Sequence, residues 1–122
     1  MTYAVAPPPL VDDSGTQTWF SSLFRFIQSD TGVVSKSANY GVEWNVFWVR
    51  MDAAGGARTI TLPSAAGNKG RKIGGIKTEG GGNSVTFAAS GTDTVNGTAT
   101  LGTQWAAAVF ISDGVSNWDR VT

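Results

Sequence analysis

The sequence predicts an all-β domain, and two features of its second half lead to that conclusion. Between Arg58 and Val121, short runs of Thr, Val, Ile and aromatic residues recur along the chain. Glycine, asparagine and aspartate separate these runs at short and similar intervals. Such runs predict short strands joined by tight turns, as in an antiparallel sandwich or barrel, or in a β-helix-like stack. The pattern leaves the choice among these architectures open.

Composition limits both the size of the domain and its chemistry. The chain has 122 residues, enough for one domain, and its nine basic and nine acidic residues leave no net charge. It contains no cysteine and no histidine, which excludes disulfides, Cys or His metal sites and a Ser-His-Asp triad. Sixteen glycines raise the entropy cost of folding, so we expect a modestly stable monomer that gains stability by forming an oligomer.

We divide the chain into an N-terminal attachment segment, residues 1–32, and a β domain, residues 33–122. Near its start the segment contains three consecutive prolines, at positions 7–9, which favour an extended polyproline conformation. Such an arm either lies along a neighbouring protein or is a solvated tail.

A short helix is predicted over Thr16–Gln28, where five apolar residues with helical spacing form one stripe. This helix either packs on its own sheet or docks at an interface, and we favour the interface. The residues predicted to attach the chain to a larger assembly are Pro7, Pro8, Pro9, Leu10, Val11, Trp19, Phe20, Leu23 and Phe24.

The β domain is predicted to begin with one long strand, Val42–Met51, whose two faces are both largely apolar. A strand of this kind is expected to be covered on both sides. A turn through residues 52–58 is predicted to join it in a hairpin to the next strand. In that second strand Ile60 and Leu62 face inward, and Pro63 ends it because proline has no N–H to donate.

Glycine-containing motifs define the rest of the domain. Gly74 and Gly75 lie inside a predicted strand, which indicates a bulge or a close approach of backbones. Asn96-Gly97 and Asp113-Gly114 are each typical of a tight hairpin turn. In the last hairpin, Trp118 is expected to lie across from Val109–Ile111.

Three of these segments resemble a β module of tailed-bacteriophage virion proteins. They are the Ile-Thr-Leu-Pro run at 60–63, the Asp-Thr-Val-Asn-Gly run at 93–97, and the closing run at 112–118, where Trp118 falls one residue later than in the family pattern. The resemblance covers about residues 42–121. It implies a virion structural protein, commonly trimeric, such as a tail fibre, tail spike, head fibre or capsid decoration protein.

In those fibres the module usually ends a longer chain, whereas here it makes up nearly the whole sequence. This difference favours a compact, non-enzymatic accessory bound to other virion proteins, either a capsid decoration, a head fibre or a short tail appendage. The expected location is the virion, after synthesis in the host cytoplasm. The alternatives are a receptor-binding tail fibre or spike that recognises a host surface glycan, a free carbohydrate-binding module, and a glycan depolymerase.

The sequence predicts no catalytic, cofactor or metal site, no membrane insertion and no nucleic-acid binding. The basic run Lys69–Lys72 lies in a glycine-flanked bend and is interpreted as a solvated loop. The aspartates follow turn positions and lack the spacing of a calcium loop. Glu43 and Glu79 are the only glutamates available to a glycosidase.

Four tryptophans of the β domain are predicted to belong to its core or to a subunit interface rather than to a sugar-stacking platform. They are Trp44, Trp48, Trp105 and Trp118.

Overall fold

The structure, a computed structural model, describes residues Gly32–Thr122. The predicted arm, the predicted helix and the nine predicted attachment residues therefore lie outside the described residues. The described range is all-β, as predicted, and forms ten strands. They are β1 (Gly32–Lys36), β2 (Tyr40–Gly41), β3 (Val46–Met51), β4 (Arg58–Thr61), β5 (Lys72–Lys77), β6 (Val85–Ala88), β7 (Thr94–Asn96), β8 (Thr100–Leu101), β9 (Ala107–Ser112) and β10 (Asn117–Arg120).

The strands form two sheets, and the first six alternate between them. One sheet has the order β1-β3-β5-β9-β10-β7, and the other has the order β2-β4-β6-β8. The neighbours β1, β3 and β5 are parallel, as are β2, β4 and β6. Each strand pair therefore forms one coil of a solenoid, in which the second sheet supplies the crossover that parallel strands require. Among the architectures left open by the sequence, this arrangement is β-helix-like.

The end of the solenoid that follows the third coil is built differently, because the chain direction reverses there. Strand β9 pairs antiparallel with β5, and β10 pairs antiparallel with β9. In the second sheet, β8 pairs antiparallel with β6. A polar β7 lies beside β10 at the edge of the first sheet.

The core lies between the two sheets and consists of side chains from both. Phe87 from β6 and Phe110 from β9 meet with ring centroids 4.9 Å apart and tilted by 51°, a favourable arrangement for aromatic pairs. Ile60 and Leu62 are fully buried, which confirms the predicted inward face of that strand. The other large buried apolar residues are Val46, Val49, Met51, Ile73, Val85, Leu101 and Trp118.

The prediction of one continuous strand from Val42 to Met51 was wrong. Strand β2 ends at Gly41 in the second sheet, and β3 begins at Val46 in the first. Between them the chain turns back, since the Val46 N–H donates to the Glu43 carbonyl at 3.1 Å. Alternating apolar residues on both sides of this turn imitate an unbroken strand in the sequence.

Two predicted hairpins were also wrong, for a common reason. The segment 52–57 joins β3 to β4, and Asn96-Gly97 leads from β7 to β8, but each connects strands of different sheets. Both turns use glycine at positive φ, 147° at Gly56 and 97° at Gly97, as a hairpin turn would. In a solenoid the same local chemistry builds a corner instead. The Asp113-Gly114 hairpin between β9 and β10 is confirmed.

The Asp113 carboxylate organises that last hairpin. Its Oδ1 accepts the backbone N–H groups of Val115, Ser116 and Asn117 at 2.8, 3.0 and 3.0 Å. Its Oδ2 accepts the side-chain amide of Asn117 at 2.8 Å. These bonds, first of all the one from the Asn117 side chain, hold the pKa of Asp113 well below the usual range of an aspartate.

We therefore expect the domain to lose stability in acid through Asp113. A carboxyl with a depressed folded-state pKa stabilises the fold above its unfolded value of about 3.9, and that contribution is lost as pH falls below it. Replacement of Asp113 by Asn removes the charge, so the wild type should be more stable near pH 6 and the difference should shrink towards pH 2. Urea unfolding across this range measures it. A pH-independent difference would contradict the prediction, and Asp119→Asn is the control.

Candidate functional site

An exposed apolar surface surrounds the start of β3, and we call it the outer patch. It consists of Val33, Trp44 and Phe47, whose side chains are 50%, 83% and 53% exposed, together with the half-buried Trp48. Val33 pairs with Trp48, whereas Gly32 pairs with Val46, so Phe47 is an extra, bulged residue of β3. Large apolar side chains grouped in this way mark surfaces that bind another molecule.

Glycines allow two aromatic rings of the outer patch to lie close to the sheet. The Phe47 ring occupies the position where a Gly32 side chain would stand. A Cβ on Gly74 would come within 2.9 Å of the Trp48 ring and of Val109. The close approach predicted at Gly74 is therefore confirmed, and it seats the Trp48 ring on the outer face of the first sheet.

Arg71 fixes the turn that displays Trp44. Its Nη2 atom donates to the carbonyl of Glu43 at 2.7 Å and to the carbonyl of Val46 at 2.8 Å. These carbonyls flank Trp44, so the guanidinium group holds the turn on both sides. The prediction of a solvated basic loop at 69–72 was therefore wrong for Arg71, which is half-buried and whose pKa is lowered by burial. It remains protonated at neutral pH.

The tryptophan predictions divide in two. Trp118 belongs to the core, with no exposed surface, and its indole N–H donates to the Pro63 carbonyl at 2.9 Å. It pairs with Ser112, one residue beyond the predicted Val109–Ile111 segment. Among the described residues Trp44 and Trp105 are 83% and 56% exposed, so neither belongs to the core of the β domain, and their predicted place at a subunit interface stays a prediction. Both stand in turns between strands, where no second sheet covers them.

Lys77 and Glu79 form a structural ion pair that sequence reasoning did not find. Lys77 is completely buried, and its Nζ donates to the carbonyls of Glu79 and Gly81 at 2.6 and 2.9 Å. The Glu79 carboxylate lies 2.7 Å from Nζ and also accepts the Gly81 N–H at 2.6 Å. The Lys77 bond, then the Gly81 bond, lower the pKa of Glu79. A glycosidase acid needs a raised pKa, so this carboxylate does not suit that role. It instead holds the loop at Gly81 against Lys77.

No cluster of three or more acidic side chains that could hold a metal ion occurs within residues 32–122. In the same range, no helix is long and apolar enough to span a bilayer. In comparisons with known proteins, no family model matches the chain and no curated sequence matches it.

Proposed function

We propose that this chain is a non-enzymatic structural protein of a tailed-bacteriophage particle. In this proposal it forms a homotrimer that binds other virion proteins, as a capsid decoration, a head fibre or a short tail appendage. Its support is the sequence resemblance of the runs at 60–63, 93–97 and 112–118, together with the solenoid-like stack of parallel coils.

The outer patch is the observation that carries the proposal. Parallel sheets are normally covered on both faces, but the outer face of β1 and β3 leaves Val33 and Phe47 half exposed. Trp44, 83% exposed, stands on the turn that leads into β3, and Arg71 holds that turn. Rigidly displayed aromatic side chains are the usual energetic centres of protein interfaces, because ordering them on binding costs little entropy. A neighbouring virion protein or a sister subunit would cover this surface.

Incorporation into particles tests the proposal. We expect the chain to band with purified particles in a density gradient and to remain bound after washing. The double variant Trp44→Ser/Phe47→Ser should reduce its copy number per particle by about tenfold or more, because hot-spot aromatics dominate binding energy. Trp105→Ser, which removes an equally large exposed ring elsewhere, is the matched control and should incorporate normally.

Wild-type chain found in the cleared lysate and absent from the particles would reject this proposal. Equal incorporation of the double variant and the control would reject the outer patch as the attachment surface and leave attachment to the N-terminal residues predicted from the sequence. Copy number then separates the subclasses, since a decoration protein occurs in many copies over the shell and a tail appendage in a few. Sedimentation of the isolated chain as a strict monomer would remove the trimer while leaving attachment open to the gradient experiment.

A further inference from the structure

A polar cavity of about 330 Å³ opens near the C-terminal ends of β1, β3 and β5. It is lined by Ser35, Lys36, Ser37, Arg50, Asp52 and Thr78. The cavity lies at the C-terminal end of β3, where Arg50 is the last residue but one and Asp52 follows the strand. Phe47 of the outer patch lies near the other end of the same strand. Ser35 and Arg50 come two residues after Val33 and Trp48 on the same two strands, so the cavity adjoins the outer patch on one face of the sheet.

The backbone holds the cavity lining in register. Ser35 pairs with Arg50 across β1 and β3. Beyond the strand ends, the Asp52 N–H donates to the Lys36 carbonyl at 2.8 Å, and the Thr78 N–H donates to the Met51 carbonyl at 3.0 Å. Hydroxyl groups, a guanidinium group and a carboxylate are therefore presented from three adjacent chain segments whose positions are fixed by hydrogen bonds.

The charges of the cavity favour an anionic ligand. Lys36 and Arg50 supply two positive charges and Asp52 one negative charge, which leaves an excess of one positive charge. Within residues 32–122, neither Lys36 nor Arg50 takes part in a salt bridge. The Lys36 ammonium lies 4.7 Å over the Tyr40 ring, and the Asp52 Oδ1 accepts the Ala54 N–H at 2.8 Å. The Arg50 guanidinium is thus the group left to bind a carboxylate, which it can do with two parallel hydrogen bonds.

An exposed tryptophan extends this row of residues. The Trp105 N–H donates to the carbonyl of Lys77 at 2.7 Å, and the Gln104 side chain donates to the carbonyl of Thr78 at 3.2 Å. Trp105 adopts a φ of 67°, in the left-handed region that a tryptophan rarely occupies. Such a conformation is held by surrounding structure and is typical of ligand sites. With adjacent strands about 4.8 Å apart, the row from Ser37 through Asp52 and Thr78 to Trp105 spans about 14 Å.

We infer that this cavity and Trp105 form a binding site for an acidic saccharide. Ring hydroxyls suit the Asp52 carboxylate and the hydroxyls of Ser35, Ser37 and Thr78, because sugar hydroxyls both donate and accept hydrogen bonds. A sugar carboxylate suits Arg50. The apolar face of a sugar ring suits an exposed indole, and a row of about 14 Å accommodates more than one ring.

A panel of immobilised oligosaccharides tests the site with the full chain. The panel contains neutral hexose oligomers, hexuronate oligomers and sialylated oligomers. We expect retention of carboxylated members and not of neutral ones, with weaker retention at high salt because of charge screening. Arg50→Gln and Trp105→Ala should each weaken binding by about tenfold or more. Asp52→Asn removes the one negative charge of the lining and should bind carboxylated members at least as well as the wild type does. Asp52→Asn keeps an oxygen that can accept the Ala54 N–H, so it changes the charge with little change in the turn.

The matched controls are Lys72→Gln, which removes a different exposed cation, and Trp44→Ala, which removes a different exposed indole. Both should bind as the wild type does, and circular dichroism shows that each variant is folded. The inference is overturned if no member of the panel is retained, if neutral members alone are retained, or if Arg50→Gln binds unchanged. None of these results depends on particle incorporation, so this test and that of the proposed function fail separately.

Discussion

Replacing Trp118 with alanine will lower the free energy of unfolding by about 3–5 kcal/mol, the range found when a large aromatic residue is removed from a packed core. Trp118 has no exposed surface and is the largest of the fully buried side chains in the described residues. Its removal leaves a cavity between the sheets and deprives the Pro63 carbonyl of the indole N–H, which donates to it at 2.9 Å. A domain of this size has a total stability of about 5–15 kcal/mol. The variant should therefore unfold at much lower urea concentration, or fail to fold at 37 °C.

Two further variants separate the causes of that loss. Trp118→Phe refills much of the cavity but supplies no N–H, so it should cost less than alanine while still leaving the Pro63 carbonyl without that donor. Trp44→Ala removes the same residue type from an exposed turn and should change stability by no more than about 0.5 kcal/mol. Urea denaturation followed by circular dichroism measures all three. Equal losses for Trp118→Ala and Trp44→Ala would contradict the assignment of Trp118 to the core.

The contrast between these two tryptophans shows what local sequence can and cannot predict. Alternation around Ile60 and Leu62 predicted a strand and its buried face, and both are confirmed. Around Trp44 the same kind of alternation runs through a turn, because Val42 and Val46 are both buried but belong to segments on either side of it. A two-residue period indicates extended backbone without showing where the chain changes sheets.

Strand pairing was the least predictable part of the fold. A turn motif such as Asn96-Gly97 specifies the backbone conformation of two residues. The same conformation can join two paired strands in a hairpin or two strands of different sheets in a solenoid, so the motif does not distinguish them. The pairs that distinguish these outcomes are distant in sequence: Tyr40 pairs with Ile60, and Ile60 pairs with Phe87. No local motif encodes contacts of this separation. The Asp113-Gly114 hairpin was predictable because its partners are adjacent.

The candidate surfaces were only partly visible in the sequence. The largely apolar faces of Val42–Met51 predicted cover on both sides, but among the described residues the outer face of β3 leaves Phe47 53% exposed. The buried Lys77 was missed because lysine is rarely buried unless paired. The sequence features that could have indicated a buried Lys77 are Glu79, two residues later, and the glycine run 80–82. Lys77 donates to the carbonyl of Gly81 in that run. The attachment residues predicted in the first 32 positions remain a prediction.

Gly75 lies where side chains of the second sheet pack directly against the backbone of β5, which explains the need for a glycine there. It lies between Val49 and Ala108 in the first sheet. A Cβ at this position would stand 3.2 Å from the Phe87 ring and 3.3 Å from the Ile60 methyl group of the opposite sheet. It would also stand 2.7 Å from the Val49 carbonyl oxygen, a backbone atom that can move only if the strand moves.

Gly75→Ala should therefore lower the free energy of unfolding by about 1–3 kcal/mol, the usual cost of overpacking a core, although alanine at a neutral strand position normally stabilises. Gly75→Val should cost more, since two further methyl groups meet the same ring. The matched control is Gly41→Ala, which lies in strand β2 with nothing within 4 Å of the added Cβ and should be neutral or stabilising by about 0.4–1 kcal/mol. Thermal and urea unfolding measure the three variants. A Gly75→Ala protein as stable as Gly41→Ala would contradict this prediction. It would mean that the second sheet does not pack closely against β5 at Gly75.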